Sequence, residues 1–242
     1  MATITGVKLI GRTKYKNPLV EVTPPAPTSD PYFANVSLLI QPSLTDTVIT
    51  DKSLAASSVT NDNITLTASS LSGKAMDCRG QSVRLALTVN TDTAMDFGTD
   101  DFTVETWIYP TAVDTDTNNY IIDTVGPVAF MARNGREVFG DGSLAFGVSP
   151  HFIGSVDYPI NQWVHFAVSR VSGTARLFIN GVLKSTIAMP TDYQIESPLY
   201  IGVRAPFGPG FNFDDLINSV RITNGIGRYT ANFTPKTEFP TE

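Results

Sequence analysis

From about residue 34 onward, β-branched and aromatic residues come in short runs. Gly, Pro, Asn or Asp interrupts each run before a helical apolar period can establish itself. The predicted strands are Val36–Gln41, Ile64–Thr67, Lys74–Cys78, Val83–Val89, Phe102–Tyr109, Tyr120–Val125, Val128–Ala132, Leu144–Val148, Trp163–Arg170, Ala175–Ile179, Val182–Ile187, Leu199–Val203 and Phe213–Thr223. Thr91–Phe97 reads as a short helical turn. Asn180-Gly181, between two such runs, is the strongest hairpin signal, because both residues tolerate the positive φ of a type I′ turn. So many strands in about 200 residues predict an all-β fold, a two-sheet antiparallel sandwich of jelly-roll type.

Alternation within a strand says which side chains share a face. In FTVETWIY, Phe102, Val104, Thr106 and Ile108 form one face and read as core between two sheets. Thr103, Glu105, Trp107 and Tyr109 form the other, an amphipathic set expected to line a shallow groove. Composition narrows the chemistry. Charged residues are 17% and hydrophobic ones 42%, enough to bury a core. A net charge of −6 argues against nucleic acid as a partner. One cysteine, Cys78, and two histidines, His151 and His165, exclude disulfide frameworks and Cys- or His-built metal centres. No apolar run reaches the length of a membrane span, and the N-terminus has no secretory h-region, so membrane insertion and export by secretion are not expected.

Charge is unevenly spread. Residues 1–20 carry Lys8, Arg12, Lys14 and Lys16 and no acid, so the other 222 residues hold −10. A cationic arm on an acidic body reads as a docking segment. TPPAPTSDP, residues 23–31, has four prolines and reads as a semi-rigid linker. The expected division is an arm and linker over 1–33 and a jelly-roll domain over 34–242.

The series DFTVETWIYP, WVHFAVSR, GTARLFINGVLKST, LYIGV and INSVRITNGIGRYTANFTP resembles the laminin-G-like, concanavalin A-like jelly-roll domains. DPYFANVSLLI and RYTANFTP are similar to the ends of the versions found in bacteriophage virion proteins. The resemblance covers roughly residues 30–240 and implies a non-enzymatic role in recognition or assembly. Two departures stand out. Where the family commonly has I-D-D-V-R, this chain has Ile217-Asn218-Ser219-Val220-Arg221, with Asp214 and Asp215 earlier. Where relatives often carry two histidines after tryptophan, it reads Trp163-Val164-His165. Both remove polar ligands, so a metal-assisted sugar site is not expected.

Residue chemistry agrees. Retaining glycosidases on this architecture resemble E-x-D-x-x-E on one strand, and Glu105 stands alone on its strand. There is no nucleophile elbow, P-loop or dinucleotide fingerprint. Cys78 in KAMDC reads as a buried apolar filler, and His165 as a packed, hydrogen-bonded side chain. Asp114, Asp116 and Asn118 space oxygens like the start of an EF-hand. Asn119 and Val125 occupy the positions that need Gly and Glu, so only a looser calcium loop remains as a cofactor candidate. In RAPFGPGFNF, Phe207 and Phe211 suit sugar stacking or a subunit contact. Tyr229 and Phe233 are expected to close the sandwich.

The leading expectation is a phage virion structural protein, displayed on the particle as capsid decoration or tail fibre. Residues 1–33 would anchor it to other virion proteins and to further copies of itself through assembly symmetry. The alternative is an adhesin for host surface glycans, using Glu105, Trp107, Tyr109, Phe207 and Phe211.

Overall fold

The computed structural model describes residues 29–80, 82–90, 95–111, 119–124, 132–134, 144–146, 158–190, 192–194, 197–204 and 212–242. A 3₁₀ turn, Phe33–Asn35, leads into β1 (Val36–Ile40), β2 (Ser58–Asp62), β3 (Thr65–Ala68), β4 (Lys74–Asp77), β5 (Ala86–Asn90) and β6 (Asp96–Gly98). There follow β7 (Phe102–Tyr109), β8 (Asn119–Thr124), β9 (Ala132–Asn134), β10 (Leu144–Phe146) and β11 (Val164–Val171). The last are β12 (Thr174–Ile179), β13 (Val182–Ala188), β14 (Tyr193–Gln194), β15 (Leu199–Ile201) and β16 (Leu216–Asn224).

Two antiparallel sheets form the sandwich. The larger runs β13-β12-β11-β7-β16-β4-β3, with β1 added on β16. One edge of β16 pairs with β7, and the other takes β4 at Leu216–Ile217 and β1 at Val220–Thr223 in tandem. The smaller sheet runs β10-β9-β8-β15-β5-β2, and β14-β6 is a separate ribbon. Between the layers, Phe102, Val104 and Ile108 of β7 and Phe166 and Val168 of β11 meet Leu87, Val89, Leu199 and Ile201 from the opposite sheet. Burying each such side chain is worth roughly 1.5–3 kcal/mol. Cys78 is buried here too, and burial pushes its thiol pKa up, away from reactivity.

Three expectations change. The body begins by Asp30 rather than residue 34: its N–H donates to the Glu242 carbonyl at 2.6 Å and its carboxylate meets two arginines. Within the expected helical turn Thr91–Phe97, Met95 is 3₁₀-helical, Asp96 and Phe97 belong to β6 instead, and residues 91–94 lie outside the described residues. β2, SVTND, is a polar strand that the hydrophobic pattern does not flag. The arm residues Lys8, Arg12, Lys14 and Lys16 lie outside the described residues.

The Asn180-Gly181 turn connects β12 to β13 with Ile179 opposite Val182 and φ of 50° and 73°. It also carries a tertiary contact. Phe233 N–H donates to the Gly181 carbonyl, and a Cβ on Gly181 would stand 1.9 Å from the Phe233 oxygen. Gly181→Ala should therefore cost more than the ~1 kcal/mol that a left-handed backbone alone costs an L-residue. Urea unfolding would check this, and a loss near or below that figure would mean the turn and residue 233 are not in contact.

Candidate functional site

The outer face of the larger sheet was expected to be a groove. Register places Phe178, Ala167, Glu105, Arg221 and Leu39 in one row across β12, β11, β7, β16 and β1. Its centre is charged and sealed: Glu105 and His165 are 0% exposed and Arg221 is 3%. Arg221 Nε and an Nη donate to Glu105 Oε1 at 2.9 and 2.7 Å, and its other Nη donates to Asp30 Oδ2 at 3.0 Å. Tyr229 Oη donates to Glu105 Oε2 at 2.9 Å. His165 Nε2 stands 3.1 Å from the same oxygen. A carboxylate only accepts, so that nitrogen carries the proton, and Nδ1 has no protein partner.

Residues 226–240 pass over this face as a strap. They form no strand and are held by side chain–backbone bonds instead. Arg228 N–H donates to Thr103 Oγ1 and Tyr229 N–H to Ser169 Oγ; Trp107 Nε1 donates to the Lys236 carbonyl at 2.9 Å. Gln41 exchanges two bonds with the backbone of Phe239, over whose ring Arg221 sits at 4.1 Å. Phe233 stacks on Tyr229 at 3.5 Å. Tyr229 and Phe233 thus cover the outside of a sheet instead of closing the sandwich. The predicted groove of Glu105, Trp107 and Tyr109 is corrected accordingly. Glu105 and Trp107 are buried under the chain's own strap, while Tyr109 remains half-buried and donates to the Asn161 carbonyl.

The network sets proton affinities. Burial alone would raise the Glu105 pKa; the Arg221 charge and the His165 bond outweigh it and hold the carboxyl well below the usual range. Asp30 is likewise lowered against burial by Arg228, Tyr32 N–H and Arg221. Tyr229 is pushed up by burial and by the Glu105 charge. At the sheet's end Asp215 is 4% exposed and accepts from Thr111 N–H and Oγ1 at 2.9 and 2.7 Å. Burial, with the nearby Asp214 charge, raises it to about 6 against those bonds.

The outer face of the smaller sheet is different. Thr60, Thr88, Tyr200 and Asp123 stand in one row across β2, β5, β15 and β8, opposite in side to the core residues Leu199 and Ile201. Thr60 is exposed, Thr88 and Tyr200 are half-buried, and Asp123 is buried at 4% exposure. Arg84 lies over the Tyr200 ring at 5.1 Å, pairs with Asp62, and has an Nε without a protein partner. Nearby Asn90 donates to Ser58 Oγ at 3.1 Å. Hydroxyls, a carboxylate, a guanidinium and one ring on a sheet face suit a polyhydroxylated ligand. Asp62 and Asp123 are three strands apart, roughly 14 Å at normal strand spacing. Glycoside hydrolysis needs about 5–9.5 Å between its carboxyls.

Sequence reasoning missed this face because its polar residues come from four separate strands with no local motif. Phe207, Phe211, His151 and the calcium candidates Asp114, Asp116 and Asn118 lie outside the described residues. Among the described residues, no cluster of three or more His, Cys, Asp or Glu side chains could hold a metal. No helix among them is long and apolar enough to cross a membrane.

Two antiparallel sheets, one backed by a strap and one without such a cover among the described residues, define a lectin-like β-sandwich. Residues 83–226 match the Laminin_G_3 model, described as the concanavalin A-like lectin/glucanases superfamily, and the chain belongs to that family. No curated protein matches the sequence at a significant level. Among solved structures it is similar to the receptor-binding domain of botulinum neurotoxin D, with TM-score 0.60 and 12% identity over 84% of this chain and 51% of that one. The binding domain of Paraclostridial Mosquitocidal Protein 1 gives TM-score 0.58 and 14% identity over 79% and 48%. The chain thus spans about half the length of these toxin domains. Domain 4 of AbnA, a GH43 extracellular arabinanase from Geobacillus stearothermophilus solved with arabinotriose, gives TM-score 0.55 and 21% identity over 79% and 93%.

Two stability measurements follow from the charges. Glu105→Gln leaves Arg221 half-paired in a buried setting and should cost about 3–5 kcal/mol at neutral pH. Because the folded carboxyl is depressed, that advantage is present above the ordinary value of 4.5 and shrinks as pH falls below it, so the two melting curves should converge in acid. A constant gap from pH 7 to 3 would contradict the ion pair. Asp215 has the opposite sign: the folded state holds its proton more tightly, so stability is gained as pH falls from above 6 toward 3.8. Asp215→Asn keeps an acceptor for Thr111 and should be as stable as wild type or more so at pH 7. Its advantage should vanish by pH 4, and a variant clearly less stable at pH 7 would refute the burial penalty.

Proposed function

We propose that this protein is a non-enzymatic carbohydrate-binding domain that holds a neutral glycan on the outer face of the smaller sheet. One observation carries the reading: the larger sheet's outer face is filled by the strap, while on the smaller sheet Thr60 is exposed and Thr88 and Tyr200 are half-buried, with no strap over them among the described residues. The similarity to a carbohydrate-complexed arabinanase domain, matched over nearly its whole length, supports it. So does the likeness to toxin binding domains, one of them complexed with SialylT. For the toxins only about half of each domain is matched, so they support recognition in general rather than a particular sugar.

Mounting on a phage particle through residues 1–33, with other virion proteins or further copies as partners, is the second reading. Its support is the likeness of DPYFANVSLLI and RYTANFTP to phage domains. One structural feature favours it. Asp30, where the linker enters the body, bonds Glu242 and sits against the larger sheet, so a domain held there would turn its open face outward.

Calorimetric titration with arabinotriose and a panel of neutral oligosaccharides tests the first reading. The protein should bind at least one, and Tyr200→Ala should weaken that binding about tenfold, or ~1.4 kcal/mol, while circular dichroism shows the variant still folded. Silence across the panel, or a Tyr200→Ala variant that binds as well as wild type, would overturn it.

A further inference from the structure

Beside the point where the linker meets the strap lies a depression of about 210 Å³, on the opposite side of the sandwich from the open sheet face. Tyr32, Arg221, Arg228, Phe233, Thr234 and Lys236 are among the residues that line it. The Tyr32 ring is 43% exposed, with the Arg228 guanidinium 5.5 Å above it. Phe233, half-buried and stacked on Tyr229, also lines it.

Charge is unbalanced at this spot. Glu105 and Asp30 offset Arg221 and Arg228, two against two. Lys236 adds a positive charge that no carboxylate among the described residues pairs with. Its backbone is fixed by Trp107 Nε1, so the side chain rises from a set position. Every guanidinium nitrogen of the two arginines is already bonded, Arg221 to Glu105 and Asp30 and Arg228 to Thr223 and Asp30, so both are committed to the buried network. Lys236 therefore brings one positive charge to a hollow edged by the aromatic rings of Tyr32 and Phe233.

We propose that this depression binds the carboxylate-bearing ring of an acidic saccharide of the uronic acid class. The inference rests on the carbohydrate-binding reading for the sugar, while the anion preference comes from the charges alone. The surplus is one unit, which a carboxylate neutralises; a phosphate monoester, at about −1.5 to −2, overcompensates it. The volume is smaller than the ~300–1,000 Å³ of pockets for larger ligands and suits one ring rather than a chain. The aromatic walls offer the ring's C–H face a surface, and Thr234 supplies a hydroxyl.

The test is an NMR titration of the full chain with D-glucuronate and D-glucose, which differ by one carboxylate. Glucuronate should shift resonances around Tyr32, Thr234 and Lys236 with at least fivefold higher affinity than glucose, and raising salt should weaken it. Lys236→Ala, which keeps the backbone acceptor for Trp107, should abolish that preference without changing the melting temperature. Tyr200→Ala should leave it intact, which separates this site from the sheet face: loss of arabinotriose binding alone would indict only the neutral-glycan reading. Equal affinity for the two sugars, an unaltered Lys236→Ala variant, or sodium acetate binding as tightly as glucuronate would overturn the proposal.

Discussion

A carboxylate with no access to water is the constraint around which this molecule is arranged. Glu105 sits mid-strand in β7, where a charge needs partners to be tolerated at all. Arg221 arrives from β16 by register, His165 from β11, and Tyr229 from the strap. Arg221 in turn requires Asp30, and Asp30 brings in Arg228. One buried acid thus ties three strands to both ends of the domain. The strap has no ladder of its own, and these bonds, with its aromatic contacts, replace one.

That arrangement divides the work between the two faces. Covering the larger sheet removes it as a ligand platform and concentrates charge and aromatic surface where the linker enters. The smaller sheet keeps half-exposed threonines and Tyr200 on its outside. On the proposed reading, recognition would fall on one side of the sandwich and attachment on the other. It also puts the hydroxyl-bearing face and the hollow beside Tyr32 on opposite sides of the sandwich.

The strands were legible because their signals are local. β7 coincides with the alternating run Phe102–Tyr109, and the Asn180-Gly181 turn follows from the φ values those residues accept. The groove was misread for a physical reason. Alternation reports that Thr103, Glu105, Trp107 and Tyr109 share a side, and it cannot report what lies on that side. The strap that covers them is irregular and held by bonds such as Trp107 to the Lys236 carbonyl, 129 residues apart, so no periodicity announces it. Asp30 was assigned to the linker by its proline neighbours, although its bonds reach 191 and 198 residues along the chain. The row Thr60–Thr88–Tyr200–Asp123 was invisible because each residue sits in a different strand.

The sequence by itself determined the all-β class, the inward faces of the main strands, the tight hairpin and the inertness of Cys78. Each depends on steric preference or hydrophobic burial acting over a few neighbouring residues. Only the tertiary structure decided that the larger sheet's outer face is closed by the strap and that Glu105 is a structural ion and not a ligand-facing acid. Those outcomes depend on register between distant strands and on a segment without secondary structure. Coulombic and hydrogen-bond partners there are chosen by three-dimensional proximity, which no local pattern encodes.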